Sequence, residues 1–225
     1  MFFTSLLLFI SSFTSYNPVS SPIAEYRLYQ PDMKYELPEI LNEVSGLTDI
    51  DHDNIARVQD ELGIIYIYHL PKQSIINQYP FEPIGDFEGL TRVGNTMYIL
   101  RSDGRLKEIS NYNTKASAVK HFNFSLVTPN NEGLCYDPRF NRLLLAAKSK
   151  PGEPYLKSDR LIYSFDLTSG QPDKTPYMRL DVPHLGEAFQ KAGFTAPQHV
   201  QKDGSTVAKF NFRPSSLAVH PVTDH

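Results

Sequence analysis

The sequence has one cysteine, no tryptophan and no strong excess of charge of either sign. Because a single thiol has no partner in the chain, Cys135 excludes an internal disulfide and a cysteine-based metal site. The formal net charge is −3, from 22 basic and 25 acidic residues, so no global field favours nucleic acid. We therefore expect no nucleic-acid partner, and any functional site must be built from residues other than cysteine.

Several catalytic patterns are also absent from the sequence. The seven histidines form no His-x-His or His-Glu-x-x-His pair, which are common zinc-ligand spacings. There is no Gly-x-Ser-x-Gly serine-hydrolase motif, and the glycines are too scattered for a phosphate-cradling loop. Cys135 lies between Leu134 and Tyr136, which indicates a buried, inert thiol. Enzymatic activity is therefore uncertain, and we lean towards a protein that is not an enzyme.

The one long apolar run lies at the N-terminus, over residues 2–13. It is too short to span a bilayer as a stable anchor, but it has the length of a signal-peptide core and is followed by small residues. A positively charged start is missing, so an apolar N-terminal strand is the alternative. We interpret residues 1–24 as a signal peptide or an apolar N-terminal segment. The expected location is extracytoplasmic: periplasmic, associated with the cell membrane, or secreted.

The strongest positive feature is a repeat with a glycine marker. Gly46 to Gly89 is 43 residues, and Gly89 to Gly133 is 44. The markers are Glu43-Val44-Ser45-Gly46-Leu47, Phe87-Glu88-Gly89-Leu90 and Asn131-Glu132-Gly133-Leu134, and Ser216-Leu217 lies further on. Short apolar runs separated by turn signals follow each marker. Units of about 40–50 residues built from strands and turns are typical of propeller blades. A β-sandwich would not need a similar start at each period, so the sequence predicts an all-β propeller.

We predict about four blades or blade parts, within a ring of five or six. The third unit is longer, with a polar loop at residues 151–159 and a short helix at residues 184–193, which we interpret as an insert within one blade. A degenerate blade without its marker is the alternative. Residues 217–225 resemble the first strand of another blade. We therefore expect residues 25–225 to form a propeller domain that is incomplete at the C-terminus, or a small ring closed by residues near Tyr35.

Several segments resemble the SdiA-regulated (YjiK-type) β-propeller family. They are Leu41-Asn42-Glu43-Val44-Ser45-Gly46-Leu47, Val58-Gln59-Asp60-Glu61, Gly85-Asp86-Phe87-Glu88-Gly89, Asn131-Glu132-Gly133-Leu134-Cys135-Tyr136-Asp137 and Pro214-Ser215-Ser216-Leu217-Ala218-Val219-His220-Pro221. The resemblance extends from about Leu37 to the C-terminus. It implies a periplasmic or membrane-associated propeller related to NHL, lactonase and phytase-like propellers, often with calcium. Family members usually carry a further Pro-Glu-Gly blade start and a closing blade, so the chain resembles a C-terminally truncated member.

Three glutamates, Glu43, Glu88 and Glu132, stand at the starts of predicted first strands. First strands line the central channel of a propeller, so we expect these carboxylates to converge at one mouth. Clustered carboxylates favour a cation, and calcium takes 6–8 oxygen ligands. Further oxygens could come from Asp60, Glu61, Asp86 and Asn131. The alternative is that each glutamate accepts hydrogen bonds from nearby backbone N–H groups.

The run Asp49-Ile50-Asp51-His52-Asp53 matches the start of a calcium-binding loop. The rest of that pattern fails, because Asn54 replaces the glycine and Asp60 stands where a glutamate is expected. Since aspartate is common in turns, we interpret the run as a solvated turn between two strands.

Five basic residues could neutralise an oxyanion near the acidic positions, as in a phytase-like propeller. They are Arg57, Arg92, Arg101, Lys148 and Lys150. Basic side chains more commonly lie in solvent on the rims of the blades, and we favour that interpretation.

These observations lead to three hypotheses about function. The first is an extracytoplasmic, calcium-associated propeller of the SdiA-regulated type that binds a small anionic ligand or a protein, with association at the membrane surface. The second is a metal-dependent phosphoesterase (phytase-like) or lactonase on the same scaffold, and the third is a protein-interaction scaffold. The fold cannot choose among them, because propellers host all three.

Overall fold

The computed structural model describes residues 30–124, 126 and 128–220. The predicted signal peptide at residues 1–24 lies outside these ranges. The chain divides into two units, Met1–Lys34 and Tyr35–His225, and the sheets described below belong to the second. Within the described ranges, no helix has the length and apolar character needed to cross a membrane.

The first sheet is a four-stranded antiparallel meander preceded by a short 3-10 helix, Glu39–Leu41. Its strands, in both spatial and chain order, are β1 (Val44–Asp49), β2 (Asn54–Gln59), β3 (Leu62–His69) and β4 (Ser74–Ile84). A two-residue turn, Asp60-Glu61, joins β2 to β3. The outermost strand, β4, contains Pro80 and Pro83 and has three irregularities in its pairing with β3.

The second sheet repeats this meander. Its strands are β5 (Phe87–Val93), β6 (Thr96–Arg101), β7 (Leu106–Ser110) and β8 (Ala118–Phe122). The turn between β6 and β7 contains Gly104, whose φ of +87° is the left-handed conformation that favours glycine. The turn spans residues 102–105.

The third sheet has the same order but a divided outer strand. Its strands are β9 (Asn131–Asp137), β10 (Arg142–Ala147), β11 (Asp159–Asp166), β12 (Gln171–Pro172) and β13 (Met178–Asp181). Both β12 and β13 pair with β11, at its opposite ends. The long connection between β10 and β11 contains most of the polar loop predicted at residues 151–159.

The three sheets pack face to face in chain order, with β1 beside β5 and β5 beside β9. Ala56, Ile65 and Ile67 of the first sheet pack with Phe87 and Met97 of the second. A second cluster joins the other face of the second sheet to the third; its fully buried members include Leu100, Leu106, Leu143, Leu161 and Phe165. Consecutive meanders packed in this way, with their first strands side by side, are blades of a β-propeller. The predicted fold is confirmed.

The outward face of the third sheet carries the segment around Ser216. Leu217 and Val219 pack against Cys135, Leu144 and neighbouring residues of that sheet. This is the position that the first strand of a following blade would occupy, although the segment has extended backbone without assigned strand pairing. The marker predicted at Ser216 therefore lies where the repeat requires it, and the number of blades in the ring stays a prediction.

The predicted helix is present as α1, Val182–Lys191, and it begins two residues earlier than expected. The side chain of Asp181 caps it by accepting a hydrogen bond from the backbone N–H of His184, and Pro183 lies in the first turn. A hairpin of β14 (Gln198–Val200) and β15 (Thr206–Ala208) follows. The predicted loop at residues 151–159 lies within the third blade, between β10 and β11, but the interpretation of the helix as part of the same insert is corrected: β13 already completes the third sheet, so α1 and the hairpin come after it.

Candidate functional site

Each first strand contains one residue that has no partner in the second strand of its sheet. These bulge residues are Ser45 in β1, Glu88 in β5 and Glu132 in β9. The flanking pairs are Val44–Gln59 and Gly46–Val58, Phe87–Arg101 and Gly89–Leu100, and Asn131–Ala147 and Gly133–Ala146. A bulge redirects a side chain out of the regular alternation of the strand. The repeated marker is therefore a repeated bulge.

The glycine after each bulge allows successive first strands to approach closely. A Cβ atom at Gly46 would lie 2.5 Å from the backbone nitrogen of Leu90, and one at Gly89 would lie 2.6 Å from Cβ of Leu134. At Gly133 the nearest atom would be Cβ of Ala146, at 2.8 Å. The glycines are thus explained by contacts within and between blades.

Glu43 does not occupy the bulge position. It lies just before β1 and is exposed, whereas Ser45 is the structural equivalent of Glu88 and Glu132. The predicted equivalence of Glu43 with the other two glutamates is therefore wrong by two residues. Spacing measured from the marker glycines would have found Ser45, because each bulge residue directly precedes its glycine.

The bulges face a shared cavity of about 270 Å³ at the centre of the propeller. Its lining includes Ser45, Glu88 and Glu132. Ser215 and Ser216 contribute a fourth side to the same cavity. Two carboxylates and several hydroxyl groups from consecutive blade starts therefore meet in one place, which we call the channel site.

Glu88 is the most perturbed acid of the channel site. Burial raises its pKa to about 7, and the carboxylates of Glu132, Asp86 and Asp60 act in the same direction. Lys148 opposes this effect. The structure thus brings four of the predicted ligand residues into electrostatic contact.

The other predicted ligands already have interactions. Glu132 is buried and its Oε1 lies 2.7 Å from Nζ of Lys148, while Asp86 accepts a hydrogen bond from the Ser102 hydroxyl. The amide of buried Asn131 donates to the carbonyls of Thr128 at 2.9 Å and Ser102 at 3.2 Å. Glu61 is exposed in the turn between β2 and β3.

A preformed metal site requires several ligands that converge on one point. Among residues 30–124, 126 and 128–220, no group of three or more His, Cys, Asp or Glu side chains is arranged to hold a metal ion. Calcium could bind at the channel site only if its acids moved closer together and Glu132 exchanged Lys148 for the ion.

The raised pKa of Glu88 predicts a specific pH dependence of stability. Between the ordinary pKa of 4.5 and the folded value of about 7, the unfolded chain loses the Glu88 proton while the folded chain retains it. This group therefore contributes stability that is lost as the pH rises through this window. Because Glu88 is partly solvent-exposed, we expect about 1 kcal/mol, or about 2–4 °C in melting temperature.

The measurement compares the melting temperatures of the wild type and Glu88→Gln, in chelator, from about pH 4 to 8. The melting temperature of the variant should rise relative to that of the wild type as the pH rises from about 4.5 to 7. A difference that stays constant with pH would show that Glu88 has an ordinary pKa.

The aspartate-rich turn is solvated, as predicted. Asp51 is exposed, and its Oδ1 accepts hydrogen bonds from the backbone N–H groups of Asp53 at 2.9 Å and Asn54 at 3.0 Å. The side-chain amide of Asn54 also donates to it, and these bonds lower the pKa of Asp51. The carboxylate is used to hold the turn between β1 and β2.

Two of the predicted rim cations are structural instead. Arg57 is buried and lies over the Tyr68 ring, 5.4 Å from its centroid. Arg92 joins the first two blades through hydrogen bonds of 3.0 Å to the carbonyls of Asp49 and Ile50. Cys135 is buried, and burial raises its pKa to about 12, which agrees with an inert thiol.

Sequence reasoning missed two arginines near the channel site. Arg160 on β11 and Arg213 after β15 come together with Lys148 and Lys150 around one cleft. They are far apart in the sequence and fall outside the repeat, so no periodic signal marks them.

Three consecutive antiparallel blades and a central cavity bordered by their first strands define a β-propeller with an acidic channel site. The chain belongs to the SdiA-regulated family, whose sequence profile matches residues 23–185. The resemblance predicted from the blade markers is confirmed. A search of curated proteins found no match.

Several solved structures share partial likeness with the chain. The nidogen/laminin complex aligns with a TM-score of 0.47 and 14% identity, over 62% of this chain and 49% of that one. Hydrazine synthase from Kuenenia stuttgartiensis aligns with a TM-score of 0.44 and 11% identity, over 64% and 37% of the two chains. U3-55K aligns with a TM-score of 0.42 and 8% identity, over 61% of this chain and 39% of that one. This chain thus spans half or less of the length of each.

Proposed function

We propose that this protein is an extracytoplasmic binding propeller whose channel site holds calcium and, through it, a small anionic ligand or a protein. The observation that carries this proposal is the equivalent position of Glu88 and Glu132. Both sit at bulges of adjacent first strands and line the same cavity. Repetition of an acid at one structural position favours a shared role in the channel.

The electrostatics of the channel site support a cation. Glu88 is crowded by three other carboxylates, and a bound cation would relieve this repulsion and favour its ionised form. Ser45, Ser215 and Ser216 offer neutral oxygens, which suit the oxygen coordination of calcium. Lys148 is about one-third exposed, so its side chain can move away from Glu132.

Extracytoplasmic location and association with the membrane surface are part of the proposal. They rest on the apolar run at residues 2–13 and on the family resemblance. Binding is favoured over turnover because hydrolysis would also need a metal-bound water and a second free positive centre beside it, and the nearby Lys148 is already paired with Glu132. The phosphoesterase, lactonase and pure scaffold alternatives therefore rank below a binding protein.

Thermal unfolding with and without calcium tests this proposal. A ligand at about 100 times its Kd stabilises the folded state by about 2.7 kcal/mol, so the melting temperature should rise by about 5 °C or more. Glu88→Gln and Glu132→Gln should each remove most of this rise. Glu187→Gln, which changes an exposed acid on α1, serves as the matched control and should retain it.

The proposal fails if calcium leaves the melting temperature of a cooperatively unfolding sample unchanged. It also fails if the two channel variants respond to calcium as the wild type does. In that case the bulge glutamates have a structural role only, through the ion pair of Glu132 with Lys148 and through hydrogen bonds with the local backbone.

A further inference from the structure

Basic side chains surround two adjoining clefts beside the third blade. The inner cleft, of about 360 Å³, is lined by Asn130, Lys148, Ser149, Lys150, Arg160 and Arg213. The outer cleft, of about 520 Å³, shares the last three of these and adds Lys157 and Lys209. No described residue lining either cleft is acidic. In a chain of net charge −3, this is a local concentration of positive charge.

Arg160 is the fixed centre of this basic region. Its side chain is buried, with 4% exposure, and Nη1 donates hydrogen bonds to the carbonyls of Asp159 at 2.7 Å and Lys157 at 3.4 Å. Its Nε is buried and has no hydrogen-bond partner among the described residues. A buried donor without a partner is costly, and a bound acceptor would remove that cost.

The three cations shared by the two clefts lack an ion-pair partner among the described residues. Lys148 is paired with Glu132, but Lys150, Arg160 and Arg213 form no ion pair within the part of the chain that the structure describes. Burial lowers the pKa of Arg160 and the positive charge of Arg213 lowers it further, against a smaller opposing effect of the Asp159 carboxylate. Like charges held together in this way favour an anion between them.

The walls of the clefts indicate what kind of anion fits. Arginine guanidinium groups match the geometry of phosphate oxygens. Because the same three cations line both clefts, they can contact two phosphoryl groups of one ligand at once. The outer cleft also has an apolar wall formed by Val182, Pro183 and Phe210. Its volume lies within the range of small-molecule sites.

We propose that this basic cleft binds a small organic phosphate that carries two or more phosphoryl groups. The phosphoryl groups contact Lys150, Arg160 and Arg213, and the organic part lies against Phe210. This second site borders the channel site at Lys148, which pairs with Glu132, but it binds through other residues and requires no metal ion.

Isothermal titration in chelator tests the basic cleft with tripolyphosphate, inorganic phosphate and citrate as probes. Chelator separates this test from the calcium proposal, so either can fail alone. We expect tripolyphosphate to bind more tightly than the other two and its Kd to rise with ionic strength. Arg213→Gln and Lys150→Gln, both at exposed positions, should each weaken binding about tenfold. Lys115→Gln, an exposed lysine of the second blade, should not change the Kd.

Three outcomes would overturn the assignment. One is the absence of binding heat with tripolyphosphate, and another is an equal Kd for the wild type and the Arg213→Gln and Lys150→Gln variants. The third concerns the source of the phosphate. Binding to vesicles containing phosphatidylserine, lost in Arg213→Gln and seen without any binding of tripolyphosphate, would assign the cleft to a membrane surface.

Discussion

Gly89→Ala should lower the free energy of unfolding by about 3 kcal/mol, at the upper end of the usual cost of overpacking. The added Cβ would lie 2.6 Å from Cβ of Leu134 and 2.9 Å from the carbonyl oxygen of Glu132. Both atoms belong to the next first strand, so relief requires the second and third blades to separate. Thermal unfolding should show a fall of about 6–12 °C in melting temperature.

Gly94→Asn is the control for Gly89→Ala. Gly94 lies in the turn between β5 and β6 with φ of +59°, and a Cβ atom added there would have no neighbour within 4 Å. Asparagine accepts a positive φ more readily than other residues with side chains. This variant should differ from the wild type by no more than about 0.5 kcal/mol. If Gly89→Ala were equally mild, close approach of the first strands would not explain the marker glycine.

Glu82→Gln should be the second strongly destabilising change, at about 3 kcal/mol. Nζ of Lys107 lies 2.7 Å from Oε2 of Glu82, and the lysine side chain is only 3% exposed. The pair joins β4 of the first blade to β7 of the second. The glutamine amide oxygen can still accept a hydrogen bond, and His121 lies 3.2 Å from Nζ, but the buried ammonium group loses the negative charge that balanced it. Denaturant unfolding measures the effect.

A double variant separates the buried charge from the loss of packing. Lys107→Met with Glu82→Gln should be more stable than Glu82→Gln alone, because the unpaired ammonium group is gone. Lys107→Met alone should cost less than Glu82→Gln, since Glu82 is 25% exposed and its charge can be solvated. A double variant less stable than Glu82→Gln would mean that Lys107 contributes mainly through its aliphatic chain.

The repeat was predictable because turns and close contacts demand particular residues. Gly46, Gly89 and Gly133 are needed where first strands crowd together, so they recur at the blade period, and Gly104 is needed at a turn with positive φ. Hydrophobic runs between them gave the strands, and the helix was visible from its own periodicity. The fold follows from local rules that agree with one another.

The composition of the channel site was less predictable because it depends on register. A bulge shifts one strand by a residue relative to its neighbour, and the unpaired residue is the one directly before each marker glycine, whereas the prediction aligned the markers by their glutamates. Glu43 was therefore chosen where Ser45 stands. The pairing of Lys148 with Glu132 brings together the ends of β10 and β9, and the position of such a contact depends on where each strand ends.

The basic cleft was not predictable because its parts come from separate segments. Lys150 follows β10, Arg160 lies on β11, and Arg213 comes after the α1 and β14–β15 region. Each looks like an ordinary surface cation in the sequence. Only the path of the chain around the third blade places them together.

The two prolines of β4 also affect whether a strand of another molecule can pair with the edge of the first blade. The outer strand of a blade is an open edge, and a continuous row of unpaired N–H groups can recruit a strand from another molecule. Pro80 and Pro83 have no N–H group, and the irregular pairing of β4 with β3 bends this edge away from a straight ladder. The perimeter of the first blade is thereby a poor template for intermolecular β-sheet growth, which protects the protein against fibrillar self-association at high concentration.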